Sequence, residues 1–161
     1  LKRVIRALEY FHVTGEKISV HNETQRQKTS PYAFRYYCLN RAREKLYARI
    51  EQRIDEMMEE GLLAEVTRLK GEGCTRDLVS MQGLGYKELL AYLDGECSLE
   101  EAVAQIKLST RHFAKRQLTW FRREKDVLWI EKEEFANDDE RIVSFLTEDA
   151  KTHVLSSLVT L

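Results

Sequence analysis

The chain has 161 residues, 43% of them apolar and 33% charged, which excludes a disordered or fibrous protein and allows one charge-rich globular domain. Its formal charge is −1, so any concentration of positive charge has to be local. No apolar run reaches the roughly 18 residues of a membrane span, and Cys38, Cys74 and Cys97 are too far apart to suggest a zinc site or a disulfide framework.

The opening LKRVIRALEY lacks the cleavage site and unbroken apolar core of a signal peptide. A cytoplasmic setting is expected, and a chain that opens on Leu1 is expected to be part of something longer. Leu1, Val4, Ile5, Leu8 and Phe11 recur at steps of three and four up to Val13, which predicts an amphipathic helix. Gly15 is its expected C-terminal cap. The polar, non-periodic VHNETQRQKTSP (20–31) reads as a loop, and the aromatic YAFRYYCL (32–39) as a strand. A long helix is predicted from Ala42 to Lys70, broken near Gly61, with Leu46, Ile50, Ile54, Met57 and Met58 on its inner stripe. Residues 74–85 read as a loop leading to a helix from Tyr86 to Gly95. Ser98 and Glu101 form an S-x-x-E capping box that opens another helix through Ala102, Val103 and Ile106. DVLWIE (126–131) reads as a second short strand, followed by a final helix. The expected class is mainly α with a few short strands.

Positive charge is concentrated in KLSTRHFAKRQLTWFRR (107–123), which carries no acid. On a helix Lys107, Arg111 and Lys115 stack four residues apart, and Arg116, Trp120 and Arg123 follow a second line. Like charges so spaced repel by about 0.2–0.5 kcal/mol per pair. A polyanion would relieve them, each phosphate contact releasing a condensed counterion, and Trp120 or Phe121 would add stacking on bases. The residues alone leave a second reading equally open. In it Trp120 and Phe121 anchor the core, and the charges pair with the acids of EKEEF and DDE further on.

TRHFAKRQLTWFRR resembles the TRxxAKRQxTWxR signature of tRNA dimethylallyltransferases. Three further stretches match that family in the same order: RVIRALEYFHVTGEKIS, LYARIEQRIDEMMEEGLLAEV and QGLGYKELLAYLDGE. Together they span about residues 1–130. The resemblance implies the C-terminal part of a P-loop NTPase-like α/β fold. It also implies transfer of a dimethylallyl group from dimethylallyl diphosphate to N6 of the adenosine at tRNA position 37, beside the anticodon, giving N6-isopentenyladenosine. It assigns tRNA contacts to Lys115, Arg116, Gln117, Leu118, Thr119, Trp120, Phe121 and Arg122. Further tRNA contacts fall on the glycine loop, Gln82, Gly83, Leu84, Gly85, Tyr86 and Lys87, and on Lys2, Arg3, Val4, Ile5 and Arg6.

The second Arg of the family's RIxxR, here Arg53, is implied to bind the diphosphate. At about 100° per residue Arg53 falls roughly 20° from Leu46 and about 40° from Met57, at the edge of the buried stripe. A guanidinium there snorkels, pairs with Glu51, Glu56 or Glu59, or faces a semi-enclosed anion. Lysine lacks the planar fork for the last of these roles. Arg49 is expected to be peripheral. QGLGYK lacks the third glycine of a dinucleotide fingerprint. Its glycines either merely turn the chain or free backbone N–H groups at a helix start, where an anion is favoured.

No GxxxxGK[ST] occurs in the sequence. By the resemblance the P-loop, the catalytic Asp and the ligands of Mg²⁺ lie in an N-terminal half absent here, and this chain supplies no metal ligand. The expected partners are the tRNA anticodon stem-loop and dimethylallyl diphosphate, bound by a monomer with no membrane. The chain alone is expected to bind rather than to turn over. Alternatives are a non-catalytic helical RNA-binding module and a structural helical domain whose charges only solvate it.

Overall fold

The computed structural model describes residues 1–28, 32, 34–124 and 126–159, with side chains up to 153. The chain divides into two compact units, one of residues 1–34 with the chain's end, the other of residues 35–153.

In the first unit, helix α1 (Lys2–Thr14) stops where Gly15 turns to φ 71° and its N–H bonds the Phe11 carbonyl at 2.8 Å. Its apolar stripe follows the predicted period, yet none of its residues is buried. Helix α2 (Ile18–Gln27) overturns the expected loop over 20–31, of which 29–31 lie outside the described residues. The missed signal has a physical reason. Glu23, Gln25, Arg26 and Gln27 are good helix formers, but α2 buries no residue, so no apolar stripe repeats along it. The Tyr10 and His21 rings, 5.2 Å apart, join the two helices.

The second unit is built on two parallel strands, β1 (Tyr36–Asn40) and β2 (Val127–Glu131), with Cys38 opposite Trp129 and Asn40 opposite Glu131. β1 runs from Tyr36 through Asn40 rather than over 32–39, where residue 33 lies outside the described set. Asn40 Nδ2 donates to Glu131 Oε1 at 2.8 Å and so extends the pairing by a polar residue that a propensity reading ends before. Parallel neighbours cannot be joined by a tight turn. The crossover is helical: α3 (Arg43–Glu59), α4 (Leu62–Gly71), α5 (Tyr86–Leu93) and α6 (Leu99–Phe121). After β2 comes α7 (Asp139–Val159).

The predicted long helix breaks as read. Gly61 takes φ 105°, where a side chain would be strained, and α4 restarts on it. The expected loop 74–85 holds a 3-10 turn, Val79–Gln82, because Met81 reaches the core. That core joins Ile54 of α3, Leu62 and Val66 of α4, Met81, Leu89 and Leu90 of α5, and Ala102 and Ile106 of α6. Val66 and Leu89 are fully excluded from water, a burial that stabilises by about 1.5–3 kcal/mol for each such side chain. The capping box forms as predicted. Ser98 Oγ accepts the Glu101 N–H at 3.2 Å, and Glu101 Oε2 accepts the Ser98 N–H at 2.8 Å. α7 is tied to β1 through Asp149, which accepts from Arg35 Nε at 2.8 Å and from Tyr37 Oη at 2.7 Å. The class is as expected, mainly helical with two short strands. Among the described residues no helix is long and apolar enough to cross a membrane.

Candidate nucleic-acid interface

α6 carries the basic stretch, and its neighbours divide that stretch in two. Lys107 Nζ lies 2.6 Å from Asp55 and Arg111 Nη1 lies 2.5 Å from Glu51, both acids on α3. The first two members of the stacked row are therefore neutralised inside the protein, and no polyanion is needed for them. Among the described residues the expected alternative, pairing with EKEEF or DDE, does not occur either. Glu133 pairs with Lys45 and Asp139 with Lys132.

Beyond Arg111 the pairing stops. Among the described residues Lys115, Arg116, Arg122 and Arg123 enter no ion pair, and Arg116 lies over the Phe113 ring at 5.7 Å. The two aromatics take one role each. Phe121 is half-buried, edge-on to Tyr36 at 6.0 Å. Trp120 meets Phe121 at 5.1 Å yet remains 52% exposed. Phe121 is thus the anchor, and Trp120 offers a face to solvent.

The last turns of α6 pack beside the carboxyl end of β1, and two clefts open there. One, about 370 Å³, is lined by Arg41, Leu46, Arg49, Gln117, Leu118, Phe121 and Lys132, among others, and by no carboxylate. The second, about 290 Å³, includes Arg43, Tyr47, Lys115, Thr119 and Arg122, with Glu131 its one acid. Ligands of open α/β sheets bind outside the carboxyl ends of the strands, and here that position is cationic. Arg41, Arg43 and Arg49 line these clefts and were not among the expected site residues. The available signal was the N-R-A-R run that directly follows a strand.

Arg53 lies on the solvent side of the stripe's edge and takes up the ion-pair reading. Its side chain is 56% exposed, 3.9 Å from both Glu56 and Glu60, and it lines neither cleft. The neighbouring Ile54 takes the fully buried position, and the inner stripe of α3 is too narrow to include Arg53. Of the expected ion-pair partners, Glu56 is the one engaged. Arg49, expected to be peripheral, pairs with Glu56 at 3.2 Å and borders the larger of these two clefts.

The glycine loop is held separately. Gly85 takes φ 94°, and its N–H donates to Glu88 Oε2 at 2.9 Å, which starts α5. Tyr86 Oη donates to Glu65 Oε1 at 2.5 Å, and that bond pushes the phenol above its ordinary pKa. Gln82, Gly83 and Lys87 are exposed, whereas Leu84 and Tyr86 are half-buried. The loop flanks the first half of α6, and neither cleft at the basic end contains a residue of it. Lys2, Arg3, Val4, Ile5 and Arg6 are all exposed on the first turns of α1, in the other unit.

A family model described as IPP transferase matches residues 1–124. The chain belongs to the IPP transferase family. Among its IPP transferase relatives, a tRNA dimethylallyltransferase of Lachnoclostridium phytofermentans is 58% identical over 151 residues, which is 94% of this chain and 47% of that protein. Two solved IPP transferases share the fold. The tRNA isopentenylpyrophosphate transferase of Bacillus halodurans superposes with a TM-score of 0.73 at 38% identity, covering 99% of this chain and 48% of its own. The tRNA delta(2)-isopentenylpyrophosphate transferase of Staphylococcus epidermidis gives 0.71 at 37% identity, covering 92% and 48%. This IPP transferase chain therefore spans about half the length of the relatives it matches.

Proposed function

We propose that the chain is the C-terminal portion of a tRNA dimethylallyltransferase and supplies tRNA-binding surface together with a diphosphate-binding arginine. The reaction is transfer of a dimethylallyl group from dimethylallyl diphosphate to N6 of the adenosine beside the anticodon, in the cytoplasm, by a monomer. The observation that carries this reading is the run of unpaired cations, Lys115, Arg116 and Arg122, next to the exposed face of Trp120. Charge left uncompensated in a near-neutral protein suits a ribose-phosphate strand, and an exposed indole suits base stacking.

In the transfer, N6 forms a bond to the prenyl carbon as the carbon–oxygen bond to diphosphate breaks, and the amine loses a proton. Arg53 is assigned to the departing diphosphate. Its two ion-pair contacts, at 3.9 Å, are loose, so the side chain is free to turn a bidentate fork toward a phosphate. Mg²⁺, when bound, would neutralise the diphosphate. Among the described residues no three His, Cys, Asp or Glu side chains group as ligands. Gln82 to Lys87 and Lys2 to Arg6 are assigned further RNA contacts.

Fluorescence anisotropy of a labelled anticodon stem-loop, titrated with the chain at several salt concentrations, tests the reading. Log affinity should fall linearly with log salt, and Lys115→Ala or Arg122→Ala should each reduce the slope by about one. Absence of binding at low salt would leave a structural helical domain.

A further inference from the structure

A cleft of about 650 Å³, larger than either at the end of β1, lies beside the glycine loop, and the reading above gives it no occupant. Its walls are the 3-10 turn with Met81 and Gln82, the first turns of α5 with Lys87 and Glu88, and the face of α6 that bears Ala102 and Gln105. Glu88 is the unusual member. It is only 6% exposed. Oε2 accepts the Gly85 N–H at 2.9 Å, whereas Oε1 has no hydrogen-bond partner, and Lys87 Nζ stands 3.5 Å from it. Burying a carboxylate oxygen without a donor is costly. Capping does not require that cost, because one oxygen caps Gly85 and a glutamine would do the same.

The surroundings indicate what would donate. Met81 and Ala102 are 3% and 1% exposed, an apolar floor whose thioether suits the face or edge of an aromatic ring. Gln105 is exposed on one side of the cleft, and Lys87 is half exposed on another. Arg76, Glu96 and Glu101 also line the cleft, Arg76 paired with Glu96 and Glu101 capping Ser98, so a free anion would meet three carboxylates and a lone metal ion two cations. A ligand with an N–H edge, an apolar ring face and an adjoining phosphate satisfies all of these groups. Bases splayed out of single-stranded RNA are held in this way, by ring contacts and by hydrogen bonds to their edges.

We propose that this cleft receives one extruded base of the bound RNA, its N–H edge donating to Glu88 Oε1 and its phosphate resting on Lys87. The inference depends on the RNA-binding reading above. A set of stem-loop RNAs, each with one loop nucleotide made abasic, tests it by anisotropy against the chain, Glu88→Gln and Gln105→Trp. Glu88→Gln keeps the acceptor for Gly85 and turns the second oxygen, buried beside Lys87, into a donor. Gln105→Trp fills the cleft from an exposed position that the fold does not need, so it carries the test if Glu88→Gln does not fold. At one loop position, loss of the base should weaken binding to the unchanged chain about tenfold, and that penalty should fall below about twofold in both variants. If no loop position shows a penalty, or if the penalty is the same in Gln105→Trp, the base pocket is wrong while RNA binding stands. If the unchanged chain binds no stem-loop at low salt, both readings fall.

Discussion

Arg53 and Arg49 sit on one helix four residues apart, and their surroundings set them different tasks. Arg49 is tied to Glu56 at 3.2 Å on the border of a cationic cleft, whereas Arg53 is more than half exposed and held only at 3.9 Å. If Arg53 takes the diphosphate, Arg53→Ala should lose two charge-assisted hydrogen bonds and weaken binding of inorganic diphosphate by about tenfold or more. Arg53→Lys should recover little of that loss, because an ammonium is not a fork. Isothermal titration of the chain with diphosphate reads this directly, and equal affinity in all three proteins would remove Arg53 from the site. At this scale residue types and spacing marked where positive charge collects on α6, whereas the diphosphate role of Arg53 was implied by the family resemblance alone. Partners were not legible. No periodicity argument distinguishes Arg111, which finds Glu51 across the interface with α3, from Lys115, one turn further on, which finds no carboxylate among the described residues.

Helices α3 to α6 were legible because each combines a buried stripe with local punctuation at its ends. The break at Gly61 and the capping box of Ser98 and Glu101 are chemical signals that act over three or four residues, and the box is worth about 1 kcal/mol. α2 was illegible for the opposite reason, having helix-forming residues but no buried face. How an element is fastened to its neighbours is a separate matter, and α7 shows it. Hydrogen bonds from Arg35 first, and then from Tyr37, hold the Asp149 carboxyl below its ordinary range. A carboxylate depressed in the folded state contributes stability that is fully present above its unfolded pKa, near 4, and is lost as pH falls through the lower folded value. Asp149→Asn should therefore lower the melting temperature at about pH 7, and the gap to the unchanged protein should close as the pH is taken from about 5 to about 2. Asp94 and Asp139 are held low as well but are common to both proteins, so the difference isolates Asp149. A gap independent of pH would show that this bond network is not what secures α7.

Across the molecule, burial is uneven. The eight-residue core of α3, α4, the 3-10 turn, α5 and α6 lies within residues 35–153, whereas α1 and α2 bury no residue at all. Hydrogen exchange follows such differences. The amides of Val66, Leu89, Leu90 and Ala102 should be the slowest, with those of α1 and α2 exchanging at least about a hundredfold faster; equal protection in α1 would contradict this. What the sequence alone determined is whatever depends on residues close in the chain: helix periods, caps, the glycine break, and the four ordered motifs that mark the family. Tertiary structure decided which charges remain free, which of two adjacent aromatics faces water, and that the carboxyl end of β1 meets the basic half of α6. Those outcomes depend on groups far away in the chain, 52 positions for Asp55 from Lys107 and 114 for Asp149 from Arg35, and a pattern read along the chain carries no information on what folding brings across it.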